Sequence, residues 1–239
     1  YVAGGYYRSL ASSTDSITWT TRTMPSTTWS DQFVSSISYG NGLFFAAGVG
    51  QVFTSTDGAT WTVAYTAPLG VQYAATVYAN GTYVVGGGID GFLTPRCSLV
   101  TSTDAVTWTT RTSGFSDAQR IYGLAYGNGL FIAVGDGGKL TTSTDAITWT
   151  TRTSGFSSYI TAAIFVNGLF FIGGWGGSAA QLSTSTDGIT WTARTSNFGA
   201  TAVNVIGYGN GTLIAGGYTN KMTTLTPTAS PTTLIQYAL

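Results

Sequence analysis

Hydrophobic and polar positions alternate in blocks that recur along the whole chain. One block is an apolar run that follows Asn-Gly, such as "LFFAAG" from Leu43 and "LFIAVG" from Leu130. A continuous apolar run of this length predicts a strand that is buried on both faces. Another block, such as "TWTTRT" from Thr148, alternates and is rich in Thr, which predicts a second kind of strand. The pattern therefore predicts a protein built from short β-strands.

Turn signals separate these blocks at regular places. Asn-Gly is a strong hairpin signal because both residues must accept a positive φ. It occurs five times, at Asn41, Asn80, Asn128, Asn167 and Asn210. The core S-T-D-x-x-T-W also occurs five times, with its Trp at Trp19, Trp61, Trp108, Trp149 and Trp191. A period of about 40 residues with turn chemistry in every copy is typical of a radial or solenoid array.

Each repeat predicts four short strands. The first ends in Tyr or Phe, the second is the apolar run after Asn-Gly, the third resembles "KLTTST" from Lys139, and the fourth is "TWTTRT". Antiparallel units of four strands at this period predict a β-propeller. Second strands and third strands each number six along the chain. We therefore predict an all-β, six-bladed β-propeller of four-stranded antiparallel blades, forming a single domain over residues 1–239.

The two ends of the chain carry strand patterns that fit together. "LIQYAL" from Leu234 resembles a first strand, and the opening "YVAGG" from Tyr1 resembles the second strand that would follow it. We expect the first blade to be closed by both termini, which removes free sheet edges. The alternative is that the C-terminal strand is the outer strand of the sixth blade. Because "TPTASPTT" stands where the Asp turn would come, we expect the sixth blade to lack its outer strand.

Composition narrows the classes of partner. Charged residues make up only 8% of the chain and its net charge is zero, so no basic stripe exists and we expect no nucleic-acid partner. No run of about 18 apolar residues occurs, so we expect no membrane insertion. The single Cys97 predicts a small buried hydrophobic residue rather than a disulfide or a metal ligand. The chain begins without Met, and we expect it to be a fragment of a longer or processed chain.

The Asp of the repeated motif is the first candidate for chemistry. A short Asp side chain can accept hydrogen bonds from backbone N–H groups of its own loop. A residue that every repeat needs is part of the building unit, so we predict structural roles for Asp15, Asp57, Asp104, Asp145 and Asp187. The motif resembles the Asp box of sialidase-type (BNR) repeats, S-x-D-x-G-x-T-W, although one residue fewer separates Asp from Trp. The repeats also resemble those of phage tail or bacterial surface propellers.

The resemblance implies a sialidase as the sharpest enzymatic hypothesis, with an arginine triad and a Tyr nucleophile that Glu activates. The chain contains no Glu and no His. This excludes the Tyr nucleophile with its activating Glu, Ser-His-Asp catalysis and histidine-based metal sites. Four of the seven arginines belong to the repeat itself, namely Arg22, Arg111, Arg152 and Arg194. We therefore expect no enzyme, no catalytic residue, no metal and no cofactor.

Binding is expected on the loops that differ between repeats, because variable loops on a rigid scaffold usually carry recognition. Trp29 and Trp175 are the Trp residues that lie outside the repeated motif, within such loops. A Trp in a Gly-rich loop can stack on a sugar ring while polar neighbours bind its hydroxyls; alternatively, each Trp fills a gap between blades. The candidate ligand-binding residues are Trp175, Trp29, Asp90, Arg96, Asp136, Tyr218 and Asn220.

The sequence thus favours a non-enzymatic recognition propeller that binds cell-surface carbohydrate through its variable loops. One alternative is a structural or assembly domain of a larger extracellular or virion protein, with a protein partner and no small-molecule ligand. Another is a recombinant or reconstructed propeller without a selected ligand. We expect an extracellular or virion-associated protein, although fold alone does not determine function.

Overall fold

Six antiparallel sheets form a six-bladed β-propeller. The computed structural model describes residues 1–5, 9–25, 33–68, 70–89, 97–196, 198–217, 221–227 and 234–238. Within these residues, five sheets have four strands and one has three. The predicted fold class and the number of blades are confirmed.

The strands of the first three sheets follow one another along the chain. The first sheet contains β1 (Val2–Gly4), β2 (Leu10–Ser12) and β3 (Thr20–Arg22). The second sheet contains β4 (Val34–Gly40), β5 (Leu43–Gly48), β6 (Gln51–Ser55) and β7 (Thr62–Thr66). The third sheet contains β8 (Val71–Ala79), β9 (Thr82–Ile89), β10 (Cys97–Ser102) and β11 (Thr109–Thr110).

The last three sheets repeat this order. The fourth sheet contains β12 (Ile121–Gly127), β13 (Leu130–Gly135), β14 (Leu140–Ser143) and β15 (Thr150–Arg152), with a short 3-10 turn at Asp136–Gly138. The fifth sheet contains β16 (Tyr159–Val166), β17 (Leu169–Trp175), β18 (Ala180–Ser185) and β19 (Thr192–Arg194). The sixth sheet contains β20 (Val203–Gly209), β21 (Thr212–Gly217), β22 (Met222–Pro227) and β23 (Leu234–Ala238).

The chain divides into two compact units, Tyr1–Ile121 and Tyr122–Leu239. The first unit holds the first three sheets, and the second holds the last three apart from the first residue of β12. The predicted single domain over residues 1–239 stays a prediction. No helix of the described residues is long and apolar enough to cross a membrane.

Asn-Gly turns join the first and second strands, as their chemistry predicts. Asn128 and Gly129 have φ values of 49° and 76°, and the turn at Asn41 and Gly42 has 52° and 75°. Positive φ at both central residues fits a type I′ hairpin, whose twist matches that of the flanking strands. The second to fifth sheets therefore have a turn end, which carries the Asn-Gly and Asp turns, and an opposite variable end. The same end is marked by the Asp turn in the first sheet and by the Asn-Gly turn in the sixth.

The core lies between successive sheets. In the second unit, Ile132 and Val134 of β13 pack in one cluster with Phe170 and Ile172 of β17, and all four side chains are fully buried. In the first unit, the hydroxyl of Ser36 on β4 hydrogen bonds that of Thr76 on β8 at 2.8 Å. Strands buried on both faces explain the continuous apolar runs of the sequence.

The structure corrects the expected position of the C-terminal strand. β23 pairs antiparallel with β22, with Leu225 opposite Gln236, so it is the outer strand of the sixth sheet. The first sheet keeps three strands, and the predictions of a first blade closed by both termini and of a sixth blade without its outer strand are wrong. β21 pairs with only one edge of β22, so the backbone groups of the other edge can pair with the strand that follows it in the chain. The sequence between Pro227 and Leu234 is six residues long and contains no Asp, so the repeated S-T-D motif is absent there.

Candidate functional site

An aromatic pair lies at the variable end of the fifth sheet. Trp175, the last residue of β17, is the pairing partner of Tyr159, the first residue of β16. Cross-strand partners project to the same face of a sheet, so the two side chains are neighbours. Both side chains are half-buried. Trp and Tyr rings that are partly covered and partly exposed are typical of binding surfaces.

A Gly-rich loop next to this pair is held by its own hydrogen bonds. The backbone N–H of Gly176 donates to the carbonyl of Ala179 at 2.9 Å, which closes the turn between β17 and β18. The hydroxyl of Ser157 donates to the carbonyl of Gly176 at 2.5 Å, which ties the turn to the linker before β16. Gly177 has a φ of 97°. Ser178, in the same loop, is exposed.

The variable end of the fourth sheet contains another predicted binding residue, Asp136. Asp136 is half-buried, and its carbonyl accepts a hydrogen bond from the N–H of Lys139 at 3.1 Å. The next residues of this turn contact the linker to the fifth sheet, since the hydroxyl of Ser154 donates to the carbonyl of Gly138 at 2.6 Å. Asp136 and Trp175 thus occupy the variable ends of two successive sheets within the second unit.

The remaining predicted ligand-binding residues are Trp29, Asp90, Arg96, Tyr218 and Asn220, and they lie outside the described residues. The candidate site is therefore built on Trp175, with Tyr159 as a residue that the sequence analysis did not single out. The signal that could have found Tyr159 is its place at the start of a first strand, opposite the end of β17.

The Asp turns form a closed hydrogen-bond system at the turn end. In the fourth sheet, Oδ1 of Asp145 accepts the backbone N–H groups of Ile147 and Thr148, both at 2.8 Å, and the hydroxyl of Ser143 at 2.9 Å. Ala146 has a φ of 59°, which turns these N–H groups toward the carboxylate. The same bonds recur in the turns of Asp15, Asp57, Asp104 and Asp187.

These bonds stabilise the ionised form of each carboxylate. The N–H of Thr148, followed by that of Ile147 and the hydroxyl of Ser143, lowers the pKa of Asp145 to about 2. The corresponding groups, led by the N–H of Thr190, lower the pKa of Asp187 to about 2. A carboxylate with so low a pKa is a weak proton acceptor at neutral pH. No cluster of metal-ligating side chains occurs in the part of the chain that the structure describes.

The repeated arginines link the fourth strand of a sheet to the third by hydrogen bonds. Nε of Arg152 donates to Oγ1 of Thr142 at 3.0 Å, which links β15 to β14. Nε of Arg194 donates to Oγ1 of Thr184 at 2.8 Å in the fifth sheet. These contacts place the Arg side chains on the faces of the sheets, in the same way from one repeat to the next.

Solved structures share the fold of this chain at low sequence identity. A structure described as "YCF48 bound to D1 peptide" has a TM-score of 0.67 and 16% identity, over 97% of this chain and 75% of that chain. Catalytically inactive virginiamycin B lyase from Staphylococcus aureus, with quinupristin, has a TM-score of 0.75 and 14% identity, over 93% and 74%. No family model and no curated protein matches the chain. The resemblance to Asp-box repeats stays a prediction.

The lyase corrects the prediction that the chain is not an enzyme. That prediction assumed that a propeller without the sialidase residues has no catalytic activity. The neighbour with quinupristin has the same fold and is an enzyme. Similarity at 14% identity shows the fold alone and assigns no reaction to this chain.

Proposed function

We propose that the protein is a recognition propeller that binds carbohydrate at the variable end of its fifth sheet. The observation that carries the proposal is the half-buried pair of Trp175 and Tyr159 beside an exposed Gly-rich loop. An indole can stack on the flat apolar face of a sugar ring, and a neighbouring phenol adds both apolar area and a hydrogen-bonding hydroxyl.

The surroundings of the pair suit a polar, uncharged ligand. The loop presents Ser178 and the backbone of Gly177, which can bond sugar hydroxyls. Its shape is set by the Gly176–Ala179 and Ser157–Gly176 hydrogen bonds. A loop that is already ordered loses little conformational freedom when a ligand binds. A single stacking site gives weak affinity, so useful binding would come from several sites acting together.

A glycan array followed by calorimetric titration of the best ligand tests this proposal. We expect Trp175→Ala to weaken binding at least about tenfold, which corresponds to about 1.4 kcal/mol. The matched control is Trp19→Ala, because Trp19 is 43% exposed and belongs to an Asp turn of the first sheet. Binding to no glycan, or equal losses in both variants, would reject the carbohydrate site.

A peptide or protein partner is the second candidate function. The observation that favours it is the propeller neighbour whose structure contains a bound D1 peptide. Screening a random peptide library against the protein separates the two candidates. Selected peptides that lose binding in Trp175→Ala but not in Trp19→Ala would favour this second function.

A further inference from the structure

The face of the fifth sheet that packs toward the sixth carries an open groove at its turn end. Its volume is about 470 Å³. Leu169, the first residue of β17, contributes an apolar side chain to its lining, and Arg194 of β19 contributes a charged one. The other lining residues are Thr184, Ser185, Thr186, Thr190 and Thr192. We call this depression the fifth-sheet groove.

The same position on the fourth sheet is covered by the following Asp turn. Leu130 follows Asn-Gly as Leu169 does, and the turn of the fifth sheet lies against it. A Cβ atom added to Gly188 would stand 2.7 Å from Cδ2 of Leu130. Trp191 packs in the same cluster as Leu130, and Nδ2 of Asn128 donates to the carbonyl of Thr186 in that turn at 3.1 Å.

The first unit shows the same arrangement. Trp61 of the second sheet is only 5% exposed and packs in one cluster with Val2 of the first sheet. Trp108 of the third sheet packs with Leu43 and lies 6.1 Å from Tyr65 of the second sheet, measured between ring centroids. Within each unit, an Asp turn and its Trp therefore cover the preceding sheet.

The sequence of the sixth repeat contains no Asp-turn motif that could form such a cover for the fifth sheet. Its third and fourth strands are joined by "TASPTT" at residues 228–233, and the chain contains no Trp after Trp191. The neighbouring hydrogen bond also changes. Nδ2 of Asn167, the counterpart of Asn128, donates to the hydroxyl of Tyr208 at 3.4 Å, where Asn128 reaches a turn carbonyl.

We propose that the fifth-sheet groove is a docking site for a Trp side chain that another polypeptide chain presents on a turn. Leu169 supplies apolar contact, and the Thr side chains supply methyl and hydroxyl groups. Nε of Arg194 donates a hydrogen bond to Thr184 within the lining, where the guanidinium can contact the face of an indole. The groove volume of about 470 Å³ lies within the range of ligand sites.

A peptide with the sequence of the chain's own Asp turn, STDGITWTAR (residues 185–194), is the probe. Its Trp carries a fluorine label, so that ¹⁹F NMR separates it from the Trp residues of the protein. We expect saturable binding with a dissociation constant of about 0.1–1 mM, as for one anchoring side chain. An unlabelled peptide with Ala in place of Trp should fail to displace the probe.

Two variants of the full chain alter the groove in different ways. Leu169→Thr removes the apolar side chain from the lining. Two other repeats carry Thr at this position, namely Thr82 and Thr212. Thr192→Trp fills the groove. The matched control Ala193→Trp places the same ring on the opposite face of β19, because successive strand residues alternate.

We expect Leu169→Thr and Thr192→Trp to weaken peptide binding at least about tenfold, and Ala193→Trp to leave it unchanged. If the protein self-associates and Leu169→Thr abolishes the self-association, this would support the same contact, made by a turn of a second copy. Absence of binding at about 2 mM peptide would overturn the proposal. The proposal would also be overturned if the peptide still bound to both variants, or if N-acetyltryptophanamide bound as tightly as the peptide.

Discussion

Replacing Gly138 with Ala tests how closely the variable end of the fourth sheet packs onto the linker that follows it. Gly138 has a φ of 67°, in the left-handed region that favours glycine. A Cβ atom built on it would stand 2.1 Å from the carbonyl oxygen of Phe156. This oxygen belongs to backbone, so it cannot move aside as the end of a flexible side chain can.

Gly129→Ala is the matched control in the same unit. Gly129 has a φ of 76°, but nothing lies within 4 Å of the position of its Cβ atom. The left-handed conformation costs Ala about 1–2 kcal/mol, and reduced freedom of the unfolded chain returns about 0.4–1 kcal/mol. Gly129→Ala should therefore destabilise the unit by about 1 kcal/mol. Overpacking adds about 1–3 kcal/mol, so Gly138→Ala should cost about 2–4 kcal/mol.

Urea unfolding followed by Trp fluorescence measures both variants. The difference between their transition midpoints, multiplied by the common slope, gives the steric contribution alone. A difference below about 0.5 kcal/mol would refute the reasoning, because it would show that the linker at Phe156 can move away without loss. Circular dichroism of each folded variant checks that the sheets are retained.

Two further predictions concern the Asp turns. Because backbone N–H groups hold the pKa of Asp145 and Asp187 at about 2, below the unfolded value of about 3.9, these carboxylates stabilise the fold above that value and lose this effect as the pH falls toward 2. The melting temperature should be steady from pH 7 to about pH 5 and drop below about pH 4; a flat profile down to pH 2 would contradict this linkage. Asp145→Ala leaves the N–H groups of Ile147 and Thr148 without their acceptor, whereas the amide oxygen of Asp145→Asn can still accept them. The Ala variant should melt at a lower temperature than the Asn variant by scanning calorimetry, and equal melting would show that the Asp bonds add no stability.

Local chemistry explains which parts of the fold could be predicted from the sequence. The Asn-Gly turns were predictable because few residues accept the positive φ that Asn41 and Gly42 adopt. The place of β23 was not predictable in this way. Its pairing with β22 uses backbone groups that every strand possesses, and the resemblance of "LIQYAL" to a first strand does not determine which edge it joins.

The candidate site also has one residue that the sequence predicts and one that it does not. Trp175 could be singled out because it lies outside the repeated motif. Its partner Tyr159 depends on strand register, and a bulge between Ile160 and Ala162 shifts that register by one residue. A shift of one residue changes which side chains share a face, so the pair could not be derived from alternation alone. The fifth-sheet groove could not be singled out in the same way, because its lining residues belong to the repeated pattern.

The two proposed sites lie at opposite ends of the same strand. Leu169 begins β17 at the turn end and Trp175 ends it at the variable end, a separation of about 20 Å along an extended strand. Substitutions this far apart, with no shared contacts, usually act additively. Leu169→Thr should therefore leave glycan binding intact, and Trp175→Ala should leave binding of the Trp peptide intact. Because the carbohydrate site depends on a loop of the variable end and the groove on side chains of the turn end, the failure of either proposal leaves the other standing.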